Sequence, residues 1–154
     1  MHRKVGLIVS GGIRSGADAA KALALGADAV SIGVAALIAL GDNAPELESE
    51  YEEIGSSAGF YDDWQAGRDP AGISTQEPEL AARFDPELGG RRLANYLRCM
   101  TLECQTLARA CGKSDVHNLE PEDLVALTVE AAAMARVPLA GTGWIPGTGN
   151  QSSL

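Results

Sequence analysis

The run Leu7-Ile8-Val9-Ser10-Gly11-Gly12-Ile13-Arg14-Ser15-Gly16 constrains this chain more than any other. A short apolar stretch rich in β-branched residues stops at a Gly-Gly pair, the pattern of a buried parallel strand. A helical pattern starts at once and runs from Ser15 to Leu25. Ser15 with Asp18 three residues on makes an N-cap close to a capping box, and Gly26 is placed as the C′ residue. Ala29-Val30-Ser31-Ile32 reads as a second strand, so about thirty residues form one βαβ unit.

The turn has a specific chemistry. Glycines admit unusual dihedrals and let a ligand come close to the backbone. The helix that follows offers unpaired N–H groups and the positive end of its dipole, which suits an anion. The second strand also ends on a glycine, in Ile32-Gly33-Val34, and a short helical pattern follows through Leu40. Two neighbouring strands therefore present glycine turns at one sheet edge, as the last two loops of a (β/α)8 barrel do around a phosphate. The plain alternative is that Gly11, Gly12 and Gly33 only permit tight turns.

The segments Ser10–Asp18 and Lys21–Val30 resemble the FMN-phosphate segment of flavin-dependent TIM barrels. Ala36-Leu37-Ile38-Ala39-Leu40-Gly41 is similar to the synthase domain of glutamate synthase. Hydroxyacid oxidases share the general pattern but carry an Asp where this chain has Ser10, so the resemblance leans toward glutamate synthase. It implies that FMN phosphate is held by backbone N–H groups at Gly12, Ile13 and Gly33, with Ser10, Gly11 and Val34 completing the cofactor-binding set. Arg14 would add a bidentate, charge-assisted contact; it also reads as an ordinary surface arginine.

The same resemblance places residue 1 just before a seventh barrel strand. The expected fold is α/β: the last two βα units of a TIM barrel in residues 1–41, an acidic, loop-rich excursion in 42–88, and a helical C-terminal region with an irregular tail in 89–154. Catalytic groups would lie on strands outside this chain, which alone is expected to be inactive. The middle, with no cysteine between Gly41 and Asp69, His117–Leu124 and the stretch from Ala131 to Gly141 together resemble the large subunit of N-methylglutamate synthase, which handles methylamine and glutamate. Partners implied are FMN phosphate and other subunits of a glutamate synthase-like complex, or self-association. Two other readings remain: a barrel enzyme binding a different phosphorylated ligand, and a non-catalytic accessory chain that completes a barrel with a partner.

Glutamate synthases also carry an iron–sulfur cluster after the barrel, whose last cysteine precedes a Pro-x-Gly-Ile/Val segment. Asp69-Pro70-Ala71-Gly72-Ile73-Ser74-Thr75-Gln76-Glu77-Pro78-Glu79-Leu80 is similar to that segment, with Asp69 at the cysteine's place. No cluster is therefore expected. Cys99, Cys104 and Cys111 do not supply another metal site. They fall in one helical pattern in which Leu93, Leu97, Met100, Cys104, Leu107 and Cys111 form a single apolar stripe. Cys104 and Cys111 stand about 10 Å apart along such a helix, and buried small hydrophobes are the reading favoured.

A net charge of −9 and pI near 4.6 oppose contact with a nucleic-acid backbone, which needs basic patches. No run reaches the roughly 18 apolar residues of a spanning helix, and no signal-peptide pattern precedes the first strand. A cytoplasmic protein is expected. Asp42, Glu46, Glu48, Glu50, Glu52 and Glu53 read as one solvated acidic face. Phe60, Tyr61 and Trp64 read as pins for the following loop, or else as the lining of a substrate mouth. A long helix from Gly89 to Cys111 and a second from Pro121 through Met134 are expected, with His117 a structural hydrogen-bonding residue between them. The tail from Gly141 reads as a docking strand or a disordered end.

Overall fold

The computed structural model describes residues 5–63 and 65–148. The chain divides into two compact bodies. One comprises Met1–Ser10, Ser15–Ser31 and Leu102–Leu154; the other comprises Gly11–Arg14 and Ile32–Thr101. Trp64, named above as a loop aromatic, lies outside the described residues.

The first body contains the βαβ unit. Strand β1 (Ile8–Ser10) pairs in parallel with β2 (Ala29–Ser31), with Ile8 opposite Ala29, Val9 opposite Val30 and Ser10 opposite Ser31. Both strands are a residue or more shorter than their apolar runs. Helix α1 (Gly16–Ala24) joins them, and Ser15 caps it as its sequence demands: the hydroxyl accepts from the Asp18 N–H and donates to the Asp18 carboxylate. Gly16, Ala19, Ala20 and Ala24 are its buried positions, the spacing of one narrow helical stripe. Gly26, at φ 103°, closes the helix with its N–H on Leu23 O.

Distant parts of the chain complete this body. Asp28 Oδ2 accepts from the Leu7 N–H at 2.6 Å, and His117 Nε2 lies 3.2 Å from Asp28 O. His117 thus ties the short 3-10 turn Val116–Asn118 to the start of β2, a structural role. Cys104 and Ala108 are buried, together with Ala27 and Leu119.

Helix α5 runs Pro86–Ala110, starting three residues before the expected Gly89. Its buried line differs from the expected stripe. Gly89, Met100, Cys104 and Ala108 are buried, whereas Leu97, Leu107 and Cys111 are exposed. Four-residue steps at its C-terminal end carry the line to Ala108, one position beyond Leu107, so the apolar pattern marked the neighbouring face.

The expected helix from Pro121 to Met134 is broken in two. Pro121–Asp123 is a 3-10 turn held by a reciprocal Glu120–Asp123 capping box. The chain then extends, and Ala126 bridges to the Pro138–Ala140 stretch through Ala126 N to Pro138 O and Ala140 N to Ala126 O, both 2.8 Å. Helix α6 (Val129–Ala135) starts afresh, with the Thr128 hydroxyl accepting from the Ala131 N–H. A cap inside the run outcompeted helical continuity. Ala126, Ala132 and Val137 form a small core there, flanked by Leu124 and Leu139.

The second body contains α2 (Val34–Leu40), a 3-10 turn at Pro45–Leu47, α3 (Glu48–Glu53), α4 (Pro78–Ala81) and the first part of α5. Its centre is polar. Asp42, Asp69 and Thr75 are buried beside Tyr51, Tyr61 and Ala71, and Asp69 is only 2% exposed. The acidic run is therefore not uniformly solvated, because Asp42 points inward. Of the loop aromatics, Tyr61 is buried and pins the loop through its hydroxyl to Asp63 O and the Arg68 N–H, while Phe60 is exposed. No helix among the described residues is long and apolar enough to cross a membrane.

Candidate functional site

The residues expected to bind phosphate divide between the bodies. Ser10 is the last residue of β1, in the first body. Gly11, Gly12, Ile13, Arg14, Gly33 and Val34 belong to the second.

Gly11 and Gly12 sit at φ 98° and 70°, the left-handed side of the map that other residues enter only with strain. Among the described residues a Cβ at either would meet nothing within 4 Å. Gly33 precedes α2 at φ −124° and ψ −83°, outside both the helical and the extended regions, and among the described residues a Cβ there would meet nothing within 4 Å. Packing within the described residues does not call for a glycine at 33. The N–H groups of Gly12, Ile13, Gly33 and Val34 find no backbone carbonyl among the described residues. Donors facing open space, with no side chain over them, are what a phosphate needs.

Arg14 is exposed, and its carbonyl accepts from the Tyr96 hydroxyl at 2.7 Å. That bond anchors the Gly-Gly turn to α5, a link for which the sequence carried no signal. Ile13 is half-buried and Val34 exposed.

One expectation is corrected. In the first turn of α1 the Gly16 and Asp18 N–H groups are not offered to an external anion. The Gly16 N–H donates to Glu103 Oε2 at 2.7 Å, the Asp18 N–H to the Ser15 hydroxyl, and the Ala19 N–H to Ser15 O. A carboxylate of the chain already stands at that helix terminus, where the dipole favours it. The open donors lie in the turns.

The second body also holds the buried polar cluster. Asp69 accepts five bonds: from Tyr51 OH and the Ala71 N–H on Oδ1, both 3.1 Å, and from the Ile73 N–H, the Ser74 N–H and the Ser74 hydroxyl on Oδ2, at 2.9, 2.7 and 2.8 Å. Burial opposes its charge, yet the Ser74 and Ala71 donors and the Tyr51 hydroxyl hold its carboxyl below the usual carboxylate value. Tyr51 also donates to Asp42, which in turn accepts from the Gly59 N–H. One phenolic proton thus faces two carboxylates. Burial, followed by the Asp42 and Asp69 charges, pushes the Tyr51 phenol far up. Gly72, at φ 74°, completes the Asp69 loop; a Cβ there would lie 2.2 Å from Leu80 O.

Asp69, the residue at the expected cysteine position, is therefore saturated with hydrogen-bond donors. Among the described residues no group of three or more His, Cys, Asp or Glu side chains is placed to hold a metal ion. Cys104 is buried, which with the nearby Glu103 charge raises its thiol.

The described chain is α/β, with a parallel pair of strands and a glycine turn after each. A model described as the conserved region in glutamate synthase matches residues 1–46 and 65–114. A "Glutamate synthase large subunit-like protein" of Rhizobium meliloti is 72% identical over 149 residues, covering 97% of this chain and 34% of the relative. An "Archaeal glutamate synthase [NADPH]" of Methanocaldococcus jannaschii is 40% identical over 119 residues, covering 77% of this chain and 20% of its own length. An "Archaeal-type glutamate synthase [NADPH]" of Thermotoga maritima is 39% identical over 113 residues, with 73% and 19% covered. No solved structure matches. The chain belongs to the glutamate synthase family, and it spans about a third or less of the relatives it matches.

Proposed function

We propose that this chain supplies the phosphate-binding turns of a flavin-dependent, glutamate synthase-like enzyme of amino-acid metabolism. The observation that supports the reading is the pair of glycine turns at Gly11–Gly12 and Gly33, where among the described residues a Cβ would meet nothing within 4 Å. The backbone N–H groups of Gly12, Ile13 and Gly33 bind the phosphate, with Gly11 and Val34 shaping the two turns. The Arg14 guanidinium adds a charged donor. Ser10 ends the strand that delivers the first turn. When bound, FMN supplies the redox chemistry; this chain binds and orients its phosphate end.

In this reading the βαβ unit is the closing part of a (β/α)8 barrel. The reaction is glutamate synthesis or its methylamine counterpart, N-methylglutamate synthesis. Exposed Leu7 and Ile8, the latter 69% exposed on β1, favour a chain that works with the rest of a larger protein or with other subunits. The same exposure supports the second reading, an accessory chain completing a barrel without holding cofactor.

FMN titration of the protein with its accompanying chains, followed by flavin fluorescence quenching at fixed ionic strength, separates the two. Arg14→Ala should weaken binding by about 1.5–3 kcal/mol, roughly tenfold to a hundredfold. Gly12→Val should do worse, because a β-branched residue resists φ 70° and covers the donors. Unchanged affinity in both variants removes the phosphate from these turns.

A further inference from the structure

We propose that Asp42, Tyr51 and Asp69 are positioning residues that set the Gly33–Val34 turn, an inference that rests on the cradle reading above. The reason lies in what α2 lacks. None of its seven residues is buried, and no side chain caps it at Gly33. A helix this short has little stability of its own, so something outside it must fix where its first turn sits.

Asp42 does so from both ends. Its own N–H donates to Leu37 O at 3.2 Å, just past the C-terminal end of the helix. Its carboxylate accepts from the Gly59 N–H. Gly59 in turn lies directly against Val34: at φ 76°, a Cβ on Gly59 would stand 2.6 Å from Val34 Cγ1. The carboxylate therefore joins the end of α2 to the loop that abuts its beginning.

Asp42 is held in place by Tyr51, and Tyr51 by Asp69, which is anchored by the four donors of the Ala71–Ser74 loop. All these groups lie in one body. A buried, fully satisfied polar chain has one geometry, since any shift leaves a charge or donor unpaired. It transmits that geometry through Gly59 to Val34, whose N–H is one of the open donors.

Hydrogen exchange of the Ala36 and Leu37 amides, both bonded to Gly33 O, reads the turn directly in the protein without FMN. Asp42→Ala should raise their exchange about tenfold while amides of the Leu93–Met100 part of α5 stay protected. Asp42→Asn keeps an acceptor for the Gly59 N–H and should restore most of the protection. If Asp42→Ala fails to fold, Gly59→Ala, which pushes on Val34 and leaves all three polar side chains in place, should give the same local increase. Unchanged exchange at Ala36 and Leu37, or no rescue by asparagine, overturns the positioning role. FMN affinity is measured in parallel, with Gly12→Val as the reference for the cradle. Lost FMN binding in Gly12→Val with unaltered exchange in Asp42→Ala sinks this inference alone. Absence of FMN binding in the wild type sinks the cradle reading, and exchange still decides the role of Asp42.

Discussion

Replacing Asp69 is the sharpest single perturbation of the second body. Asparagine keeps its shape. With the amide oxygen at the Oδ2 place, the Ile73 and Ser74 donors are still served, but the amide nitrogen then faces the Ala71 N–H and the Tyr51 hydroxyl. One bond becomes a donor–donor clash, another must reverse, and the negative charge is gone. Hydrogen bonds to a charged group contribute about 1.5–3 kcal/mol each and do not add, so Asp69→Asn should cost about 2–3 kcal/mol. Asp69→Ala takes the acceptor from the four Ala71–Ser74 donors around a 2%-exposed site, while Tyr51 keeps Asp42, and should cost about 4–5 kcal/mol. Urea unfolding reads both as midpoint shifts at constant slope. The acid dependence checks the sign. The native carboxyl titrates below its ordinary 3.8, so its contribution is full well above that value and is lost as pH falls through the lower, native one. The gap between wild type and Asp69→Asn should therefore narrow on acidification below pH 3.8. An Asp69→Asn midpoint within about 0.5 kcal/mol of wild type, or a gap that widens in acid, refutes the reasoning.

Glu103→Gln should destabilise the first body by about 0.5–1 kcal/mol, because a neutral amide replaces the carboxylate on the Gly16 N–H; thermal melting at low and high salt checks it, the difference shrinking with salt. Thr128→Ala should cost about 1 kcal/mol, since the cap that starts α6 is lost, and should raise amide exchange in Val129–Ala135 while α1 is unaffected. Anaerobically purified protein should contain no stoichiometric iron or acid-labile sulfide, given that Asp69 is engaged by five donors; one cluster per chain would overturn that expectation.

The parts legible in the sequence are those decided by neighbours in the chain. Ser15, Asp18 and Gly26 act within one or two turns of α1, so their types announced the cap, the helix and its end. The Gly11–Gly12 turn was visible because its positive φ favours glycine whatever the tertiary setting. Asp42 was hidden in a run of carboxylates. Nothing local separates it from Glu46 or Glu48; only Tyr51 and Gly59, brought in by the fold, make its burial tolerable. Glu103 was invisible for the same reason, since its partner is 87 residues away. The break at Leu124–Thr128 was missed because a continuous apolar period masked a threonine cap and a bridge to Leu139.

The first body is discontinuous, and that shapes how it can form. Its defining contacts, Gly16 to Glu103 and Asp28 to His117, span the whole stretch Ile32–Thr101 that builds the other body. Closing so long a flexible loop must precede any gain from those contacts, which slows folding. Prior folding of the inserted stretch shortens the loop in effect, turning an encounter across a flexible chain into one across a formed body. Substitutions at Asp69 or Tyr51 should then delay the protection of α1 in refolding experiments, although neither residue belongs to the body in which α1 lies.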